Sequence, residues 1–184
     1  MAVKNAYPEL PEVKFIPTQV DPIAVRNYIN AMDIPLELKL SSYTIFAIES
    51  GHGQKGVNNN YGGIQTDGGR WGQPMDSFII ATTVAVENLR KIQRRFAVFA
   101  SWQNYVTALV QRLKSRGLYI GGTTHKIVNM NVDSLQNFTR AYTKEWIEGN
   151  AKIEPTKDTT FTVASIYNAN KSFFSTGVDS KKKI

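Results

Sequence analysis

The sequence predicts an α+β fold that is mainly helical and contains one small β-hairpin. Apolar residues recur at helical spacing in four segments, and each segment opens with a helix-initiating residue. Two β-branched, apolar segments separated by a turn predict the hairpin. A glycine- and asparagine-rich stretch between these regions predicts an ordered loop. With 184 residues, such a chain buries about two-thirds of its unfolded surface and needs no metal or disulfide to fold.

The first 20 residues predict an extended arm. Four of the seven prolines, Pro8, Pro11, Pro17 and Pro22, fall in the first 22 residues, and proline disfavours helix in the residue before it. Few core-type residues lie here, so the arm is expected to be dispensable for folding. After residue 150 the sequence signals for helices and strands weaken. Three consecutive lysines, Lys181-Lys182-Lys183, precede the last residue. We divide it into an arm at 1–20, a domain at 21–150 and an extension with a basic tail at 151–184.

The predicted helices run over residues 22–32, 35–50, 101–116 and 133–146. Their starts carry capping residues or first-turn prolines: Asp21 with Pro22, Pro35, Ser101 and Asp133. Gly51 and Gly117 end the second and third helices. Between them, residues 51–72 form the predicted loop, and residues 77–86 and 91–99 form the hairpin with its turn at Glu87-Asn88.

Composition narrows the chemistry. The chain has no cysteine, which excludes disulfides and cysteine nucleophiles, and its two histidines cannot form a three-histidine zinc site. Neither a metal nor a cofactor is expected. The net charge of +7 favours a polyanionic partner, either nucleic acid or a bacterial cell wall. The N-terminal sequence lacks the apolar core of a signal peptide, and no stretch reaches the length of a membrane span.

Glu49 is the principal candidate for chemistry. It lies in the last turn of the predicted second helix, behind mostly apolar residues and before the glycine-rich loop. Glycoside cleavage needs a carboxylic acid that is still protonated near neutral pH, and burial against apolar groups raises a carboxyl pKa. A carboxylate at a helix C-terminus also opposes the helix dipole, which favours a functional reason for its presence. A solvated surface glutamate is the alternative interpretation.

Several segments around Glu49 resemble the glucosaminidase family of bacterial autolysins and flagellar peptidoglycan hydrolases. Ile48-Glu49-Ser50-Gly51-His52-Gly53 is similar to the family's E-S-G-x-G helix end, Asn59-Asn60-Tyr61-Gly62-Gly63-Ile64-Gln65 to its N-N-x-F-G-I segment, and Arg95-Phe96-Ala97-Val98-Phe99-Ala100-Ser101-Trp102 to its F-R-x-Y-x-S-W segment. The resemblance covers roughly residues 34–146. The Glu-Ser pair with the later Gly-Ile-Gln is equally similar to lytic transglycosylases.

Both families have lysozyme-like folds, so the resemblance implies an active groove between the Glu49 helix end, the loop and the hairpin. It implies a glycosidase that cleaves the β-1,4-linked GlcNAc/MurNAc strand of peptidoglycan, with Glu49 as general acid. The candidate substrate-binding residues are Ser50, Tyr61, Gly63, Gln65, Phe99, Tyr105 and Tyr142. Phe99 and Tyr105 suit the core equally well.

The second acidic residue of the family pattern is not matched. The family places it on the first hairpin strand, where this chain has residues 81–86, Ala-Thr-Thr-Val-Ala-Val, and the nearest acid is Glu87 at the turn. Either Glu87 is the second catalytic carboxylate, or one carboxylate acts with help from the substrate's N-acetyl group. In lytic transglycosylases the muramyl 6-hydroxyl attacks instead, and no second acid is needed.

The lack of a signal peptide, the small size and the arms at both ends favour a phage lysin, either an endolysin or a virion-associated enzyme. It would act at the periplasm or cell wall. Its expected partners are peptidoglycan strands and, through the terminal arms, other virion proteins. Two other classes remain open. A structural virion or tail protein that keeps a lysozyme-like domain would explain the missing second acid. A nucleic-acid-binding module would explain the charge but not the Glu-Ser-Gly segment, so nucleic acid is not the expected partner.

Overall fold

The computed structural model describes residues 3–86, 91–116, 132–150 and 152–176, and within them the fold is α+β. The helices are α1 (Pro22–Ala31), α2 (Leu36–Ser50), α3 (Trp102–Arg116), α4 (Leu135–Ala141), α5 (Lys157–Ala169) and α6 (Lys171–Thr176). The strands are β1 (Pro17–Thr18), β2 (Gly56–Val57), β3 (Ile79–Val86) and β4 (Gln93–Phe99). A short 3-10 helix, Met75–Phe78, precedes β3. None of the helices described is long and apolar enough to cross a membrane.

Helix α2 is the centre of the molecule. Its residues 38–47 are all buried, because α1, α3, α4, α5 and α6 pack around it. The sequence predicts one buried face, but the helix is buried on all sides, including the hydroxyls of Ser41, Ser42 and Thr44. The predicted start is wrong by one residue, since Pro35 precedes the helix as its N-cap. Gly51 ends α2 in the left-handed conformation, at φ 55°, as the sequence predicts.

Strands β3 and β4 form the predicted hairpin, with Ile79 opposite Phe99 and Val86 opposite Gln93. The predicted turn at Glu87-Asn88 lies outside the described residues. The arm adds to the open edge of β3, where Val13 N–H donates to the Thr82 carbonyl at 2.9 Å. A second two-stranded antiparallel sheet joins β1 of the arm to β2 of the loop.

The arm is extended, as predicted, but it contributes to the core. Tyr7 is 1% exposed and belongs to the hydrophobic core cluster of the described residues, against which Leu10 and Val20 also pack. The arm has few core side chains, as expected, but one of them is fully buried, and whether the arm is dispensable for folding stays a prediction. Proline spacing shows that the arm is extended, but it does not show which of its side chains the rest of the chain covers.

The C-terminal half adds further helices to the same core. Ser134 caps α4, with its Oγ accepting from Asn137 N–H, so the predicted cap at Asp133 is displaced by one residue. Helices α5 and α6 lie in the extension after residue 150 and pack on α2. Val163, Tyr167 and Phe174 are buried there, and the Phe174 ring lies 5.9 Å from that of Tyr43.

Candidate active site

Glu49 lies in the last turn of α2, where the chain changes direction into the loop. Ser50 is fully buried, and its hydroxyl donates to the Phe46 carbonyl at 2.5 Å and accepts from Gly53 N–H at 2.8 Å. Gly53 has φ 86°, and a Cβ there would lie 2.2 Å from the Val20 carbonyl oxygen. The Ser-Gly-x-Gly sequence therefore builds the turn that orients Glu49. In this structure Ser50 supports the turn and presents no surface to a ligand.

The Glu49 carboxyl is mostly buried, and burial raises its pKa above the ordinary glutamate value. Hydrogen bonds from the side chains of Tyr142 and Trp146 oppose this shift without cancelling it. Tyr142 donates its hydroxyl proton to Oε1 of Glu49. Both of these partners are uncharged, and among the described residues no ion pair holds this carboxyl in its ionised form. It is therefore suited to hold and donate a proton.

Tyr142 and Trp146 reach Glu49 from a π-helical turn, Tyr142–Ile147, that continues α4. The turn contains a bond of π-helical spacing, from Glu148 N–H to the Thr143 carbonyl at 3.0 Å. Such turns are rare and are frequently found at functional sites. Tyr142 is a candidate from the sequence. Trp146 appears in the sequence only at helical spacing from Tyr142, and its approach to Glu49 could not be predicted.

Tyr105 lies behind Glu49 and is fully buried, and both this burial and the Glu49 charge raise its pKa. Its hydroxyl has no hydrogen-bond partner among the described residues. A Cβ on Gly62 would lie 2.7 Å from this hydroxyl and 3.2 Å from the Trp146 ring. The glycine therefore allows the loop to approach both side chains closely. Gly63, in contrast, is exposed, has φ 61° and faces open space.

Three consecutive asparagines hold the loop in place. Asn58 and Asn59 have positive φ values and bond respectively to the arm and to the Phe99 carbonyl of β4. Asn60 is 2% exposed; its Nδ2 donates to the carbonyls of Ile64 and Ala97, and its Oδ1 accepts from Ile64 N–H at 3.0 Å. The Asn-Asn segment thus has a structural role.

The other predicted site residues divide between core and loop. Tyr61 and Phe99 are each 1% exposed and, with Tyr105, form a chain of ring contacts. In this conformation all three rings pack in the core next to the site and offer no ring face to a sugar. The side-chain oxygen of Gln65 accepts from Arg94. The backbone carbonyl of Gln65 accepts from the Trp71 indole N–H at 2.7 Å. Glu87 lies outside the described residues.

Several of the other carboxylates in the described part of the chain have cationic partners. Asp67 accepts from Arg94 at 2.6 Å, and Glu12 from Arg95 at 2.5 Å. Glu9 pairs with Arg70, and Glu154 with Lys144 and Arg140. Arg94 and Arg95 of β4 thus form ion pairs within the molecule. No group of three or more His, Asp or Glu side chains within these ranges could hold a metal ion.

Comparison of the chain with models of known protein families, with curated proteins and with solved structures finds no match. A functional assignment therefore depends on the geometry of the site. That geometry brings together a carboxyl with a raised pKa, two side-chain donors on a π-helical turn and a loop with an exposed glycine. These groups can deliver a proton to a leaving oxygen at the molecular surface.

Proposed function

We propose that this protein is a peptidoglycan-cleaving glycosidase with a lysozyme-like fold and with Glu49 as its general acid. The observation that carries the proposal is the environment of Glu49: a mostly buried carboxyl with a raised pKa, bonded to the uncharged side chains of Tyr142 and Trp146. The helix-end position and the Glu-Ser-Gly-x-Gly sequence support the same assignment.

The chemistry follows from what a glycosidic bond requires. The leaving oxygen is a poor leaving group until it receives a proton, so the acid must remain protonated near the working pH. Desolvation provides this property at Glu49. Tyr142 fixes the orientation of one carboxyl oxygen by donating to Oε1. The other oxygen, Oε2, can then carry the proton toward the substrate.

The loop supports a polymeric sugar as the substrate. Gly63 is exposed and faces open space, so a bulky chain can approach the backbone there. Trp146 is only partly buried and lies beside Glu49, which suits stacking on a pyranose face. The net charge of +7 favours adsorption to an anionic wall. A phage lysin acting at the bacterial cell wall fits these features.

A lytic transglycosylase is the second candidate, and one observation favours it. Burial raises the Glu49 pKa against the opposing effect of Tyr142 and Trp146, and no carboxylate among the described residues contributes to this shift. A mechanism with a single acid is therefore consistent with the site. The nucleophile would then come from the substrate, either its N-acetyl group or the muramyl 6-hydroxyl.

The test of the assignment is Glu49→Gln, which keeps the side-chain volume but has no acidic proton to donate. General acid catalysis contributes about 10²- to 10⁴-fold, so the clearing band of a peptidoglycan zymogram should disappear while circular dichroism stays unchanged. Glu37→Gln, on the first turn of the same helix, is the matched control and should clear normally. Equal clearing by Glu49→Gln and the parent would refute the assignment.

The products identify the reaction. Mass spectrometry of digested muropeptides should find anhydro-MurNAc ends for transglycosylation, or reducing GlcNAc or MurNAc ends for hydrolysis. Glu87→Gln should lower the rate nearly as much as Glu49→Gln if Glu87 is a second catalytic carboxylate, and much less otherwise. If the parent releases no muropeptide from several wall types, the structural-protein interpretation replaces the enzymatic one.

A further inference from the structure

The arm makes hydrogen bonds along the whole length of the loop that borders Glu49. Val20 N–H donates to the Gly53 carbonyl at 3.0 Å, near the start of the loop. Ile16 N–H donates to Asn58 Oδ1 at 2.9 Å, in its middle. Toward the end of the loop, Ala6 N–H donates to the Thr66 carbonyl at 2.9 Å. The loop is therefore held between the arm on one side and the hairpin on the other.

Among the arm residues that the structure describes, Tyr7 is the one whose side chain is fully buried. Its hydroxyl accepts from the backbone N–H of Trp71 at 2.8 Å and donates to Asp76 Oδ1 at 2.6 Å. The guanidinium of Arg70 lies 4.7 Å from the centre of its ring. The hydroxyl thus joins the end of the loop to the 3-10 helix and determines where the backbone of Trp71 lies.

Trp71 connects this anchor to the site. It is 5% exposed, its indole N–H donates to the Gln65 carbonyl, and its ring centre lies 6.1 Å from that of Trp146. The Trp146 side chain in turn lies close enough to Glu49 to act on the pKa of its carboxyl, which it lowers. A continuous set of contacts therefore runs from the Tyr7 hydroxyl through two tryptophans to the Glu49 carboxyl.

We propose that Tyr7 is a positioning residue, through which the arm holds Trp71 against Trp146 and so keeps the wall beside Glu49 closed to water. Its catalytic consequence rests on the proposed function, but its structural consequence does not. Tyr7 touches no reacting atom. It acts through the backbone of Trp71, so the variant Tyr7→Phe keeps the buried ring and removes only the anchoring hydroxyl.

The experiment uses the full chain carrying Trp102→Phe, so that Trp71 and Trp146 are the only tryptophans and their fluorescence can be excited selectively over that of the tyrosines. In this background Tyr7→Phe should make the two indole rings more accessible to acrylamide, which is measured as stronger quenching of their fluorescence. It should also shift the Glu49 titration toward lower pH, because water that reaches the carboxyl relieves its desolvation. Carbon-13 NMR of labelled glutamate follows that titration, with Glu49→Gln identifying the signal. The kcat on peptidoglycan should fall by up to about 100-fold, the effect of a misplacement near 1 Å, with KM unchanged.

Tyr43→Phe is the matched control, since Tyr43 is also buried but packs on Phe46 and Phe174. It should change neither the quenching nor the titration. If Tyr7→Phe does not fold, Asp76→Ala removes the acceptor of the Tyr7 hydroxyl without altering the buried ring. It should change the quenching and the Glu49 titration in the same directions, by smaller amounts. Parent-like quenching and titration in the folded variant overturn the proposal. Altered quenching and titration in a chain whose parent is inactive support the positioning role and refute the proposed function.

Discussion

At the residue scale, two glutamates of α2 occupy opposite electrostatic environments. Glu37 lies in the first turn, where the helix dipole favours a negative charge. Glu49 lies in the last turn, where the dipole opposes a negative charge, and burial disfavours the ionised form further. A side chain that is unfavourable for folding in two ways is one that stability alone would not select. This conflict is the physical basis for treating Glu49 as a functional group.

Glu49 should make stability depend on pH. Below the ordinary glutamate pKa, both the folded and the unfolded chain hold this proton, so the residue does not oppose folding. As the pH rises, the unfolded chain releases the proton first, and stability falls until the pH has passed the raised pKa of the folded state. Glu49→Gln cannot ionise, so its melting temperature should exceed that of the parent at neutral pH, and the gain should vanish in acid.

Thermal melts monitored by circular dichroism across that pH range measure this difference. Glu37→Gln should have the opposite sign at neutral pH, because it removes a charge that the helix N-terminus stabilises. If the Glu49→Gln chain melts below the parent at every pH, the ionised Glu49 carboxylate does not destabilise the folded state, and this prediction is wrong.

At the element scale, the loop between α2 and the 3-10 helix depends on two adjacent glycines for different reasons. Gly62 has no space for a side chain, because the Tyr105 hydroxyl and the Trp146 ring lie against its Cα. Gly63 has open space but a positive φ of 61°. The first glycine therefore controls how closely the loop approaches Glu49, and the second controls only the backbone conformation.

Gly62→Ala and Gly63→Ala should therefore differ in kind. Overpacking at Gly62 should cost about 1–3 kcal/mol and should also reduce peptidoglycan clearing, because Tyr105 and Trp146 must move. The left-handed conformation should cost Gly63→Ala about 1–2 kcal/mol, and clearing should fall less than in Gly62→Ala, because no described side chain has to move. Urea unfolding and a zymogram of the two variants test this. Equal loss of clearing in both would mean that Gly62 does not control the approach to Glu49.

At the scale of the whole molecule, one core includes side chains from both ends of the chain. Tyr7 comes from the arm, and Val163, Tyr167 and Phe174 come from the last two helices described. Arg26 of α1 also lies 4.0 Å from the ring centre of Phe173. The arm and the last two helices described therefore both contribute side chains to the core, and the two helices pack on α2.

Removal of residues 1–20 should consequently abolish or strongly weaken cooperative unfolding. Loss of one buried aromatic side chain costs about 3–5 kcal/mol, against a typical total stability of about 5–15 kcal/mol, and the arm's hydrogen bonds to the loop are lost as well. Circular dichroism melts of the truncated chain measure this. Lys4→Ala, at an exposed arm position, should melt like the parent. A parent-like cooperative melt of the truncated chain would show that the arm is dispensable.

Sequence alone was sufficient for features that depend on neighbouring residues. Asp21 and Pro22 begin α1, Gly51 ends α2, and two β-branched segments form the hairpin. Capping and turn formation are local, because a side chain within a few residues satisfies the exposed backbone groups. The position of Glu49 at a helix end, behind apolar residues, could be predicted for the same reason.

Only the tertiary structure decided what surrounds that glutamate. Tyr142 lies 93 positions away in the sequence, and its approach depends on a π-helical turn that no local signal predicts. Tyr7 enters the core although Pro8 and Glu9, the two residues that follow it, are exposed. Burial, and the pKa shift that burial causes, depends on which distant segments pack together. The sequence therefore determined which residue could act as an acid, and the packing of distant segments decided whether its environment allows it to do so.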